Sequence, residues 1–246
     1  MRTKGLLLAV AAVSFAFLSP AAVYADSIQG TSGAGLQGWG NSAYWNNGSF
    51  DGPNQNVGFC LTASGGCTGL GANAPGKLSY WGNSDGSADS NISFQSGGQL
   101  QATVMLTVAG NAPYNVFGWY DTSNPSVLYP LFTGSLSGAT ATFTPSANYG
   151  FFLIGVAGSG QVLGTWFSQA TLGGENESYE QHFVVFQSAG SGSYWIGAED
   201  LPFATSDYDF NDLVIQVAPV PEPSTLAFVG TGLIVIGFTT RELLLS

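Results

Sequence analysis

This 246-residue chain predicts an all-β fold, an antiparallel β-sandwich of jelly-roll-like form. Three observations carry that expectation. Apolar and polar residues alternate with a period of two, most clearly over residues 99–108 (QLQATVMLTV), as in a half-buried strand. Turn-forming Gly, Pro, Asn and Ser punctuate the chain between such segments. Between the two chain ends there is no apolar stripe of helical period. Aromatic residues make up 13% of the chain and charged residues only 8%, which opposes disorder and suits an exported β-protein.

Taken in order, the chain opens on a basic Arg2 and Lys4, followed by an apolar run over residues 5–18. Val23-Tyr24-Ala25 then offers a small-x-small cleavage site, so residues 1–25 read as a signal peptide removed by signal peptidase, with Asp26 as the new N-terminus. A membrane helix is the alternative, but the run is short and Ser19-Pro20 breaks it. Residues 27–98 are loop-rich, with Gly, Asn and Ser around aromatic clusters such as Ala43-Tyr44-Trp45 and short strands expected at 78–81 and 91–94. Cys60 and Cys67 are the only cysteines. In an exported chain they read as a local disulfide closing the Gly-rich loop 61–66, worth roughly 2 kcal/mol. A metal site at the two thiols would need further Cys or His ligands, and His182 is the sole histidine. Further strands are expected at 99–108, 114–120, 127–132, 140–144, 151–156, 162–167, 182–187, 193–197 and 212–217. There is no internal repeat, so one sandwich domain over residues 26–217 is expected rather than a solenoid or propeller.

Charge narrows the function. Residues 26–223 hold fourteen of the chain's fifteen carboxylates and a single cation, Lys77. Nucleic acid is excluded as a partner, because nothing there could neutralise phosphates. Clustered or buried carboxylates in such a chain need metal ions or hydrogen-bond donors, since salt-bridge partners are missing.

The acids concentrate at residues 199–217, in Glu199-Asp200, then Asp207-Tyr-Asp209-Phe-Asn211-Asp212. In an extended segment Asp207, Asp209 and Asn211 would share one face, with Tyr208 and Phe210 on the other. A hairpin would bring Glu199 and Asp200, at the end of one strand, to Asp212 at the start of the next. Such a group repels itself unless a hard cation sits within it, and calcium, which takes roughly six to eight oxygens in irregular loops, suits it better than magnesium or zinc. The spacing is not that of an EF-hand: Asp212 replaces the required Gly and Ala218 stands where a bidentate Glu belongs. The alternative is a turn capped by Asx-type hydrogen bonds, with no metal.

At the C-terminus, Pro221-Glu222-Pro223 is followed by Ser224-Thr225, an uncharged glycine-containing run over 226–238 and Arg241. At about 1.5 Å per residue the run is roughly 20 Å long, short of a ~30 Å hydrocarbon core, and so reads as a weak or temporary membrane helix. Residues 218–246 with these features resemble a PEP-CTERM sorting signal. The resemblance implies recognition by an exosortase in a Gram-negative bacterium that exports exopolysaccharide. It further implies a transient inner-membrane anchor, cleavage near the motif, and a final place on the cell surface or in the biofilm matrix. The family ends in a cluster of Arg, whereas here Arg241 is single and Glu242 follows. The acidic segment, over about residues 180–217, resembles a C-terminal domain of unknown function from bacterial surface proteins with an E-D pair ahead of D-[YF]-D-[FY]-N-D. That likeness implies a β-sandwich and calcium binding by Glu199, Asp200, Asp207, Asp209, Asn211 and Asp212.

No catalytic role is expected. There is no nucleophile elbow, zinc helix or phosphate-cradling loop, and His182 lies in an apolar strand, where a framework role is the default. The expected function is that of an exported, calcium-stabilised surface or exopolysaccharide-matrix protein. The alternative is a carbohydrate-binding module using Trp39, Tyr44, Trp45, Tyr80, Trp81, Trp119, Tyr120, Trp166 or Trp195, and more remotely a carboxylate-pair glycoside hydrolase.

Overall fold

The period-two segments become strands, and most of their boundaries fall within a residue or two of the expected ones. The computed structural model describes residues 26–31, 45, 56–62, 78–82, 91–134, 137–172, 181–188 and 192–220. Twelve strands appear among them: β1 (Ser27–Thr31), β2 (Ser79–Tyr80), β3 (Asn91–Gln95), β4 (Leu100–Leu106), β5 (Val116–Asp121), β6 (Asn124–Thr133), β7 (Thr140–Phe143), β8 (Asn148–Val156), β9 (Val162–Phe167), β10 (Phe183–Gln187), β11 (Tyr194–Ala198) and β12 (Leu213–Pro219). They form two antiparallel sheets. The first runs β1-β3-β8-β5-β6, with β9 also paired to β8; the second runs β2-β10-β11-β12-β4-β7. Strand β8 organises the first sheet. One edge meets β5 from Tyr149 to Ile154, and the other meets β3 at its start and β9 from Phe152 onward.

The two sheets close on one core containing Phe94, Phe117, Phe151 and Leu153 from the first and Leu100, Val104, Phe183, Val185, Ile196, Leu213, Ile215 and Val217 from the second. Phe94 packs edge-on against Phe151 at 5.0 Å and stacks on Tyr194 at 4.8 Å, so aromatic rings bridge the layers. A polar tie crosses the same gap. Tyr149 on β8 donates a hydrogen bond to the Asp26 carboxylate and lies 2.6 Å, oxygen to oxygen, from the Tyr194 hydroxyl on β11. The Gly97 amide donates to the other Asp26 oxygen at 2.7 Å. The residue expected to become the mature N-terminus is thus held by its side chain in the sandwich.

The second sheet is covered on both faces. Val184 and Phe186 on β10, Trp195 on β11 and Val214 on β12 point away from the main core into a second cluster with Trp45, Val57, Cys60, Leu61, Leu78, Phe203 and Phe210. Period two is preserved, but both phases are apolar, which is why residues 183–186 and 194–196 read as continuous apolar runs.

Three expectations change. A short helix, α1 (Val57–Thr62), lies where only loop was expected; six residues are too few to display a helical period. Its Cys60 is buried at the second cluster, and its Leu61 and Thr62 are helical rather than part of a Gly-rich loop. Strand β1 was unforeseen, because SIQGT carries little apolar signal and is held by pairing with β3. Strand β6 starts at Asn124, three residues ahead of the expected start at 127. It is an edge strand, where Pro125 and Pro130 can omit a donated hydrogen bond.

Among the described residues no helix is long and apolar enough to cross a membrane. The membrane helix expected at 226–238 lies outside them, as do the signal peptide, Cys67, Pro221, Glu222, Pro223 and Arg241.

Candidate metal centre

The acidic residues meet at one end of the β11–β12 hairpin. These strands pair in register up to Ala198↔Leu213, so Glu199 and Asp200 leave β11 as Asp212 enters β12. The Asp200 backbone amide donates to the Asp212 carboxylate at 2.8 Å and closes the hairpin mouth. Asn115 joins from the first sheet: its side-chain amide donates to Asp200 Oδ2 at 2.6 Å, and its own oxygen accepts from the Val156 amide at 3.0 Å. Asn115 was not anticipated. It falls in the expected strand 114–120, just ahead of β5, and only the packing of the sheets brings it to Asp200.

The connecting loop, residues 201–212, departs from the extended backbone that the alternation suggested. Tyr208 and Phe210 sit in left-handed conformation, with φ of 60° and 56°. Such a backbone is unfavourable for bulky residues and persists only where its surroundings impose it. The division of faces is nevertheless achieved. Phe210 is buried against the second sheet, and Tyr208 packs beside it, stacking on Phe203 at 5.1 Å with its hydroxyl donating to the Phe203 carbonyl at 2.6 Å. Gly197 on β11 makes room: an added Cβ would lie 2.8 Å from the Phe210 carbonyl oxygen. The Asp209 carbonyl accepts from the first amide of α1, Val57, at 2.8 Å, so helix and loop hold each other.

Asp209 also makes the Asx-type turn considered as the alternative. Its carboxylate accepts from the Asn211 backbone amide at 3.0 Å and from the Asn211 side-chain amide. That turn accounts for Asp209 and Asn211, but not for the carboxyl groups facing them. Glu199, Asp200 and Asp212 bring ligand oxygens within 4.8 Å of one another, and Glu199, Asp207 and Asp209 do the same. Glu199 is fully buried, and neither of its carboxyl oxygens receives a hydrogen bond from an amide or hydroxyl. None of the described residues is Lys or Arg.

The electrostatics follow. Burial, then the Asp207 charge, pushes the Glu199 carboxyl up to about 8; a carboxyl–carboxyl hydrogen bond with Asp212 opposes the rise, and the Asp209 and Asp200 charges add to it. Burial raises Asp200, opposed by its Asn115 hydrogen bond. Burial and then the Glu199 charge hold Asp212 well above the carboxylate range. In metal-free protein these groups retain protons at pH values where an ordinary carboxylate has none.

His182 supports the site without facing it as a base. It is buried, stacks on Trp166 at 4.4 Å, and its Nδ1–H donates to the Glu199 carbonyl at 3.1 Å. Burial lowers its pKa to about 3, so the ring is neutral. Of the rings that could bind sugar, Trp45, Trp166 and Trp195 are buried in the two cores, and Tyr120 is buried edge-on to Phe167. Trp119 is half-buried and stacks at 4.2 Å on Tyr129, which is 42% exposed.

Residues 143–219 match a family described as a domain of unknown function (DUF4114), a span from the end of β7 through β12 that contains all six predicted ligands. Residues 219–241 match the PEP-CTERM protein-sorting motif, including Pro221, Glu222, Pro223 and Arg241. No curated protein and no solved structure matches the chain. The chain thus carries a PEP-CTERM sorting motif behind a DUF4114 domain and is an exported protein sorted to the cell surface through an exosortase.

Proposed function

We propose that this is a non-catalytic surface or exopolysaccharide-matrix protein of a Gram-negative bacterium, whose sandwich is locked by Ca2+ once it has been exported. The observation that carries the reading is the Glu199 carboxyl, fully buried, given no amide or hydroxyl donor and ringed by Asp200, Asp207, Asp209 and Asp212. A hard divalent cation compensates such a nest with the oxygen ligands it prefers. The residues fit that ion: every protein donor is an oxygen, and no Cys or His side chain would steer the site to zinc.

Calcium here would act on folding. The loop that supplies Asp207 and Asp209 also supplies Phe203 and Phe210 to the second cluster, so closing the acidic nest presses those rings onto Val184, Trp195 and Val214. Outside the cell, where calcium is plentiful, the ion would hold this loop; before export the nest would have to stay protonated or open. The burial of Glu199 leaves a sugar ring no access to it, which weighs against a glycosidase. The test is thermal melting of the purified protein with Ca2+ and with EDTA at pH 8. A higher melting temperature with Ca2+, lost in Asp209→Ala, is expected. A chelator-insensitive melt would reject calcium.

A second reading keeps a carbohydrate partner, at the Trp119–Tyr129 pair on β5 and β6, since Tyr129 presents a ring to solvent. Retention of the protein on the host's exopolysaccharide, reduced in Tyr129→Ala at unchanged melting temperature, would support it. Equal retention would remove it. Trp45→Ala is unsuited to this test, because Trp45 packs on Phe186 and Tyr80 in the second cluster.

A further inference from the structure

The five carboxylates gather as two trios that share one member. Glu199, Asp200 and Asp212 stand at the mouth of the hairpin, on the strand ends. Glu199, Asp207 and Asp209 stand on the side of the left-handed loop. Within each trio the donor atoms lie within 4.8 Å of one another, a spread that fits around one calcium ion, whose ligands at about 2.3–2.6 Å are at most about 5 Å apart.

We propose that the centre binds two divalent cations side by side, one in each trio, with the Glu199 carboxylate bridging them. The proposal rests on the calcium reading and goes beyond it in number and arrangement. Two observations carry it. Glu199 has two buried oxygens, both without an amide or hydroxyl donor, and is common to both trios, so each oxygen is available to a different ion. Charge points the same way. Five ionised carboxylates around one divalent cation leave three negative charges uncompensated in a region where no described residue is Lys or Arg, whereas two cations leave one. Water and backbone carbonyls would complete the roughly six to eight oxygens that each calcium takes. The hydrogen bonds already present suit this division. Asn115 steadies Asp200 on one side, and Asn211 steadies Asp209 on the other. Each ion then has its own mechanical role. One clamps the ends of β11 and β12, and the other pins the loop that bears Phe203 and Phe210.

The experiment is calcium stoichiometry on the purified, chelator-stripped protein, by equilibrium dialysis with metal analysis and by titration calorimetry. Two Ca2+ per chain are expected. The variant Asp207→Asn alters a half-buried residue of the loop trio alone and should fold. It should leave one ion bound near wild-type affinity and weaken the other by tenfold or more. Glu199→Gln should weaken both. One Ca2+ in the wild type overturns the bridged pair while leaving the calcium reading standing. No Ca2+ in the wild type overturns both. If Asp207→Asn abolishes all binding in a single step while its circular dichroism is unchanged, the two-ion arrangement is also wrong.

Discussion

Removing calcium should make this protein less stable as the pH rises from 6.5 to 8, against the usual trend for an acid-rich protein with paired carboxylates. The perturbation is chelation. In metal-free protein the Glu199 carboxyl titrates near 8 when folded and near 4.5 when unfolded. Between those values the folded state binds the extra proton, so its contribution to stability is full below the unfolded value and is lost as pH climbs through the folded one. His182 works in the opposite sense. Its folded value of about 3 lies below its ordinary 6.5, so it subtracts stability only as pH falls below about 6.5. The window from 6.5 to 8 therefore lies above the range in which His182 acts. Over these 1.5 pH units one such proton contributes about 2 kcal/mol, at about 1.4 kcal/mol per unit. Asp200 and Asp212, both raised, act in the same direction. In a protein of this size about 2 kcal/mol shifts the melting temperature by roughly 4–8 °C. Saturating Ca2+ should reverse the slope, because ionised carboxylates bind it best and protons compete with it; a hundredfold excess over Kd adds about 2.7 kcal/mol. The assay is thermal unfolding by circular dichroism at both pH values, with EDTA and with Ca2+. A metal-free melting temperature that is flat or rising from pH 6.5 to 8 would refute the burial of these carboxyls together.

Other outcomes can be checked alongside. Gly197→Ala sets a Cβ 2.8 Å from the Phe210 carbonyl and 2.9 Å from Val184 and Val57 side-chain carbons, and should cost about 1–3 kcal/mol in urea unfolding; an unchanged midpoint contradicts that packing. Phe210→Ala empties a fully buried ring site and should cost about 3–5 kcal/mol, with weaker Ca2+ binding because the same loop carries Asp209; loss of stability at unaltered calcium affinity would separate loop from metal. Asp26→Ala strips the Tyr149 hydroxyl and the Gly97 amide of their carboxylate and should cost about 1–3 kcal/mol by the same measurement, whereas Asp26→Asn should cost less. Intact-mass analysis of the protein from its host should find Asp26 as the first residue, a chain ended near Pro221–Pro223, and a mass two hydrogens below that of the dithiol form if Cys60 and Cys67 are bridged; retained Met1 or free thiols would contradict the signal peptide or the disulfide.

Much of the sheet structure was legible because its cause is local. Alternation in QLQATVML is a property of neighbouring residues, and the strand there follows from it. The apolar runs at β10 and β11 were legible as strands but not as doubly covered ones, since what covers the outer face is Trp45, α1 and the loop rings, distant in sequence. The acids of the candidate centre were legible as a set, through their density in a stretch without cations. Their division was not. It arises from the hairpin register at Ala198↔Leu213 and from two left-handed residues that no propensity favours at Tyr and Phe.

By itself, then, the order of residues determined the sorting motif, the β character and the identity of the acidic residues, because these are read from short windows of charge, apolarity and period. Tertiary structure alone decided which oxygens face one another, that Asn115 braces Asp200 from the opposite sheet, that Glu199 is buried, and that Asp26 lies against Tyr149 and Tyr194. Those are contacts between residues up to more than a hundred positions apart. Burial, which sets the ionisation of a carboxylate and its demand for a cation, exists only once the two sheets have closed.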